Sequence, residues 1–203
     1  MKILAFSDMH HSHRAARDIV AASFEADLVI GVGDFCNQRC GLSEAFGLLD
    51  SIQSPMIVVP GNNESEKELR EVVPKNVTVL HGQSMEIAGL RVFGLGYAVP
   101  VTPFTDWSCD LTEEVAEDML SKFGDSDLLI THSPPKGFVD LSSSGMSLGS
   151  VSVLNAIKRE TPGLVMCGHI HDCWGESAKV GQSRIVNLGP TTNWFEFRNG
   201  VWK

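Results

Sequence analysis

Long apolar runs are missing from this 203-residue chain, and so is any surplus of basic charge. No stretch approaches the roughly 18 consecutive apolar residues of a membrane helix, so no membrane partner is expected. Lysine and arginine number 16 against 25 aspartates and glutamates, a formal charge of -9. That balance, with no basic arm, disfavours nucleic acid or anionic lipid as a partner held by loose electrostatics. It does not exclude an anionic substrate, because bound metal cations reverse the local field. Repeats, linkers and low-complexity tracts are absent. With 43% hydrophobic and 20% charged residues, the composition excludes disorder and allows a sizeable core. Five cysteines, odd in number and in no framework, argue against a secreted disulfide scaffold and for a reducing, cytoplasmic setting. Met1–Phe6 reads as a core strand leading straight to Asp8, with no room for a signal peptide. The length fits one domain over residues 1–203.

What the chain does have is five apolar, strand-like runs, each ending in a polar cluster. Ile3–Phe6 leads to Asp8-Met9-His10, Leu28–Val32 to Gly33-Asp34, and Met56–Val59 to Gly61-Asn62-Asn63-Glu64. Leu128–Ile130 leads to Thr131-His132, and Leu164–Cys167 to Gly168-His169-Ile170-His171. In layered α/β folds the loops after the strands' carboxyl ends share one edge of the sheet, and sites form there. Residues scattered along the whole chain can therefore converge.

Helical patterns separate the runs. Ser12 is expected to cap a helix burying Ala16, Ile19, Val20 and Phe24, and Ser43 one burying Phe46, Leu49 and Ile52. Glu64–Val72 reads as a short helix. Glu113–Phe123 is expected to bury Val115, Met119, Leu120 and Phe123, and Ser147 to cap a helix carrying Val151, Leu154 and Ile157. Val77–Gly94 and the last thirty residues read as short strands punctuated by glycine, with a turn at Asn199-Gly200. The fold class is α/β, and two packed sheets with helices outside is the natural layering. Gly96–Asp110 and Pro134–Gly149 leave strands near the site edge as candidate substrate-facing loops.

Two aspartates, four histidines and one asparagine suit a pair of divalent metals. Asp-x-His and His-x-His turn two ligands to one cation, Asp34 can bridge two, and Asn62 offers a neutral amide oxygen. The set holds no cysteine, which favours Mn, with Fe, Zn or Ni as alternatives, over a closed thiolate site. Two carboxylates against two divalent ions leave a net +2, enough to hold a bridging hydroxide and attract a phosphate.

Asp8-x-His10, Gly33-Asp34, Gly61-Asn62, His132 and Gly168-His169-x-His171, in this order, resemble the calcineurin-like metallophosphoesterase superfamily, most closely its compact bacterial and archaeal phosphodiesterases. The resemblance implies a four-layer αββα sandwich, with two packed mixed β-sheets flanked by helices, and a dinuclear site. By it Asp8, His10 and His171 hold one metal, Asn62, His132 and His169 the other, and Asp34 bridges them. It also implies a phosphoesterase, foremost a phosphodiesterase, that cleaves small phosphate esters with a metal-bridging hydroxide.

There is one departure. The family motif usually reads Gly-Asn-His-Asp/Glu, and here Asn63 stands in place of the His that protonates the leaving oxygen. General-acid assistance of roughly 10²–10⁴-fold is then missing, and esters with acidic leaving groups are the expected substrates. Asn62 and Asn63 are the candidate catalytic positions, and Asn62 and His11 the candidate substrate contacts.

Plainer readings stand beside these. Asn62 and Asn63 could form a turn that caps the helix near Glu64. His81 reads as structural, Cys36 and Cys40 as small loop or core thiols, and Cys167 as core. Phe104, Trp107 and Tyr97 could line a pocket or pack their loop. A non-catalytic scaffold on the same fold and a nuclease are the alternative functions.

Overall fold

The computed structural model describes residues 1–104 and 106–203. Two six-stranded sheets carry the fold. The first orders β12 (Val201–Trp202), β11 (Asn193–Arg198), β1 (Lys2–Phe6), β2 (Leu28–Val32), β3 (Met56–Val59) and β4 (Val77–Val79). The second orders β5 (Gln83–Ile87), β6 (Leu90–Leu95), β7 (Leu128–Thr131), β8 (Leu164–Cys167), β10 (Ser183–Asn187) and β9 (Ser177–Val180). Four neighbouring strands are parallel in each sheet, β1 to β4 and β6-β7-β8-β10, with antiparallel strands beyond them. The sheets are therefore mixed.

Strand alternation shows how the layers stack. Ile3 and Ala5 join Leu28, Ile30, Val92, Ile130 and Met166 in a core between the two sheets. Their neighbours Leu4 and Phe6 face the opposite way, into a core with Ile19 of α1 (His13–Ser23), Phe46 of α2 (Leu42–Gly47) and Leu69 of α3 (Glu66–Val72). On the far side Phe93, Leu129 and Val165 meet Leu120 of α4 (Glu113–Leu120) and Val153 and Ile157 of α5 (Val151–Glu160). Helices, sheet, sheet and helices are the four layers of the αββα sandwich.

The helices differ from the sequence expectation in their starts and their phase. Gly41, not Ser43, sits at the start of α2 in the left-handed region (φ 74°). Ser150, not Ser147, caps α5, its hydroxyl accepting from Val153 N. Ser147 instead bonds the Asp140 carboxylate. Successive positions of a helix point about 100° apart. In α4 and α5, Val115 and Val151 fall on the exposed side, and Ala116 and Val153 take the buried places. In α1, Val20 is half-buried and Phe24 is 72% exposed, while Ala15, Ala16 and Ile19 make the inner face. Neither Asn62 nor Asn63 caps α3. Ser65 does, in a reciprocal capping box with Glu68.

Candidate functional site

The five clusters meet at the carboxyl ends of the parallel strands. Two groups of ligand atoms form there, each with all members within 4.8 Å of one another: Asp8, His10 and His171, and Asp34, His132 and His169. Asp34 lies between them, with Oδ2 3.4 Å from His10 Nε2 and Oδ1 3.5 Å from His132 Nε2. Asn62 Oδ1 stands 3.2 Å from His132 Nε2. All seven candidate ligands are thus gathered, from loops after β1, β2, β3, β7 and β8.

Backbone geometry explains how short loops do this. Asp8, His10, Asp34 and His169 all have positive φ, between 45° and 67°. Non-glycine residues rarely sit there, and such strain collects at functional sites. Gly33 and Gly168 let the loops pack closely. A Cβ on Gly33 would lie 2.6 Å from both the Gly61 backbone and His132 Nδ1, and one on Gly168 2.6 Å from Ser7 Oγ. The absent side chain of Gly33 thus makes room for a neighbouring loop and an imidazole.

Hydrogen bonds fix each ligand's orientation. His132 Nδ1 donates to the Val32 carbonyl (2.9 Å), so its Nε2 faces the site. His10 Nδ1 donates to Asn37 Oδ1 (2.8 Å). His10 Nε2 is buried with no hydrogen-bond partner among the described residues. Asp8 accepts from Ser7 Oγ, the His169 N–H and Trp174 Nε1. Trp174 also packs its ring 4.2 Å from that of His171. Asn187 Nδ2 donates to the carbonyls of Gly168 and Ile170, pinning the His169–His171 loop from behind.

The electrostatics divide the ligands: they favour an ionised Asp34 and neutral His169 and His171, but a charged His132 and a protonated Asp8. Burial pushes Asp34 up, but His132, His10 and His169 around it together hold the carboxyl well below its usual range. Burial likewise pushes His132 down, and Asp34, Asp8 and the Val32 carbonyl together raise the imidazole to about 9. His169 falls to about 3, through burial and then the adjacent His132. Burial raises Asp8 and lowers His171.

This donor set fits divalent metal. His132, held charged by Asp34, donates Nε2–H to Asn62 Oδ1 across 3.2 Å, so a positive charge already lies where these two donor atoms meet, and a divalent ion can take the proton's place. The unpartnered His10 Nε2, 3.4 Å from Asp34 Oδ2, is a free ligand atom at the same carboxylate. A divalent ion further holds carboxylates ionised and imidazoles neutral.

Three residues near the site have roles that sequence reasoning did not assign. Glu64 is fully buried rather than helical, and accepts N–H bonds from Gly61 (2.7 Å) and Asp34 (2.8 Å), tying the second and third clusters together. Burial and then Asp34 raise its pKa to about 7. Ser7 and Trp174 hold Asp8. An acidic residue opening a helix looks solvated in sequence, and a contact across 166 residues leaves no local signal.

Asn63 donates Nδ2–H to Asp34 Oδ2 (2.8 Å) and N–H to Asp34 Oδ1 (2.9 Å), and accepts from Gln38 N (2.7 Å). It therefore orients Asp34. His11 belongs to neither ligand group. Its Nε2 donates to the Cys40 carbonyl (2.9 Å).

His81 packs on Tyr97 and accepts from Gly96 N. Tyr97 Oη accepts from Glu66 N at the start of α3. Phe104 and Trp107 stack with centroids 5.0 Å apart. Of the Gly96–Asp110 loop, residue 105 lies outside the described residues. All five cysteines are free, with Cys36 and Cys167 buried and Cys40 exposed.

The comparisons agree with the geometry. Metallophosphoesterase domain-containing protein 1 of Homo sapiens is 30% identical over 155 residues, covering 71% of this chain and 45% of that protein. The chain spans about half the length of the curated relatives it matches. Among solved structures, TT1561 of Thermus thermophilus superposes with a TM-score of 0.74 at 20% identity, covering 100% of this chain and 96% of that one. An archaeal phosphodiesterase does so at 0.61 and 19%, covering 100% and 98%; at these identities the likeness is one of fold. A family model, the calcineurin-like phosphoesterase superfamily domain, matches residues 1–200, and the chain belongs to that superfamily.

Proposed function

We propose that this chain is a phosphodiesterase that works with two divalent ions, Mn foremost, with Fe, Zn or Ni as alternatives. The observation that carries the reading is the pair of adjoining ligand groups with Asp34 between them, one carboxylate oxygen near a histidine of each. On this reading Asp8, His10 and His171 hold one ion, Asn62, His132 and His169 the other, and Asp34 bridges. Bound ions would polarise the phosphoryl oxygens and lower the pKa of a water to make the nucleophile.

The chain's own residues supply orientation. Val32 and Asn37 fix the ring faces of His132 and His10, Ser7 and Trp174 steady Asp8, and Asn63 steadies Asp34. With its amide spent on Asp34 and Gln38, Asn63 gives the leaving oxygen no proton, so activated esters are the better substrates. The acidic balance supports small esters over nucleic acid. A scaffold would not need seven gathered ligands. We further infer that residues 1–203 act as one domain in the cytoplasm, a setting that five free cysteines suit.

The test is a metal-by-substrate matrix. Metal-stripped protein, alone or with Mn, Ni, Zn or Mg, is assayed on bis- and mono-nitrophenyl phosphate and cyclic nucleotides, with Asp34→Asn as control. Mn-restored diester hydrolysis that Asp34→Asn abolishes is expected. Full activity in stripped protein, or in the variant, refutes the reading.

A further inference from the structure

Asn62 is the one candidate ligand whose side chain can present either of two chemically different ends to the site. An amide turned by 180° offers an N–H₂ group, which repels a cation, in place of its oxygen. Something must hold the oxygen inward once an ion is bound, and His132 cannot: its Nδ1 proton is committed to the Val32 carbonyl, and a ring that ligates an ion through Nε2 has no second proton to give the Asn62 oxygen 3.2 Å away.

The choice is made on the outer side. Asn62 Nδ2 donates to Ser108 Oγ (3.0 Å). Ser108 has a single proton, and it goes to Asp110 Oδ1 at 2.6 Å. Asp110 is a carboxylate that only accepts, and its other oxygen takes the Thr102 N–H (2.9 Å) and hydroxyl (2.8 Å). With that proton spent, Ser108 can only accept from Asn62. The amide must then turn N–H₂ outward and oxygen inward. The backbone adds a second anchor, Cys109 N–H donating to the Asn62 carbonyl (2.9 Å).

We propose that Ser108 and Asp110 are positioning residues that hold the Asn62 amide oxygen toward the metal it ligates, through a one-directional chain of hydrogen bonds from Asn62 to Ser108 to Asp110. This rests on the dinuclear reading above only for the ligand role of Asn62. The relay also gives the Gly96–Asp110 loop a definite task. It reaches the site through a ligand's orientation.

The test compares Ser108→Ala, Ser108→Thr and wild type, metal-stripped, by Mn titration calorimetry. Wild type is expected to take two ions. Ser108→Ala is expected to keep one tight site and lose roughly 10–100-fold at the other, the usual effect of removing an outer-sphere partner. Ser108→Thr, which keeps the hydroxyl, is expected to restore it. Equal weakening of both sites in Ser108→Ala, or two unchanged sites, overturns the proposal.

A readout independent of metal decides the case where wild type takes fewer than two ions and the dinuclear reading falls. The Asn62 side-chain N–H₂ resonances, assigned by their loss in Asn62→Asp, are expected to exchange slowly with solvent in metal-free wild type. They are expected to exchange at least 10-fold faster in Ser108→Ala. Exchange that does not change between the two sinks the relay whatever the metal count.

Discussion

Substituting Gly33 by alanine tests how the site loops are packed, and Gly89 provides the matched control. Both glycines have nearly the same backbone, φ 84° and 80°, so alanine at either costs about 1 kcal/mol for the left-handed conformation. Their surroundings differ completely. A Cβ at Gly89 meets nothing within 4 Å, whereas one at Gly33 lies 2.6 Å from Gly61 Cα, Gly61 N and His132 Nδ1. Ordinary contact begins at 3.4 Å, so nearly an ångström must be found between backbone and a buried ring.

Overpacking of that kind costs about 1–3 kcal/mol, which makes Gly33→Ala worth about 2–4 kcal/mol against about 1 for Gly89→Ala. The yielding group is His132, pushed off the Val32 carbonyl that sets its ring face. Metal affinity should therefore fall together with stability. The assay is urea unfolding of both metal-free variants, where an excess of about 2 kcal/mol moves the midpoint by about 1 M, with Mn calorimetry beside it. Equal costs at the two positions, or undiminished Mn binding by Gly33→Ala, would refute the reasoning.

Three further outcomes are expected. Asn63→His should raise turnover of alkyl diesters at least 10-fold while changing nitrophenyl diesters only a few-fold, because protonation matters most for poor leaving groups; a uniform change in rate-against-leaving-group plots counts against it. The Arg39 guanidinium holds Glu68 down to about 2 from an ordinary 4.5, so the ionised form favours the fold. This stability is full above about pH 4.5 and lost as pH falls toward 2. With the pair partly exposed, Glu68→Gln should cost about 1 kcal/mol at pH 7 and less than half that near pH 3, as read by denaturant melts at both. Leu120 is fully buried beneath α4, and Leu120→Ala should cost about 2–5 kcal/mol while leaving Mn stoichiometry unchanged.

Much of the fold was legible because its signals are local. Each of the five buried parallel strands is a short apolar run that ends where a ligand begins, and period and composition suffice to mark it. Helix phase was less legible. Ser43 and Gly41, or Ser147 and Ser150, are equally plausible starts in sequence, and what separates them is whether a hydroxyl has a better partner elsewhere, as Ser147 has in Asp140.

The candidate ligands could be read because each belongs to a motif. Their supports could not. Glu64 in a run of polar residues gives no sign that it will be enclosed by N–H donors from two loops. Nothing in the spacing of Asn62 and Ser108 shows that one amide leans on the other's hydroxyl. Asn63 reads as a helix cap until Asp34 is seen to take both its N–H groups.

The place of β1 has a consequence for how the protein is made. β1 lies between β2 and β11, with Leu4 opposite Trp194, so β1 gains its second neighbour only when residues 193–198 emerge. Until then it is a bare edge bordering an apolar core, the kind of surface that recruits foreign strands. While residues 7–192 are being made, an open seam therefore lies beside Asp8 and His10, and the β11–β12 hairpin acts as the latch. Premature termination upstream of Asn193 should yield sticky, aggregating fragments.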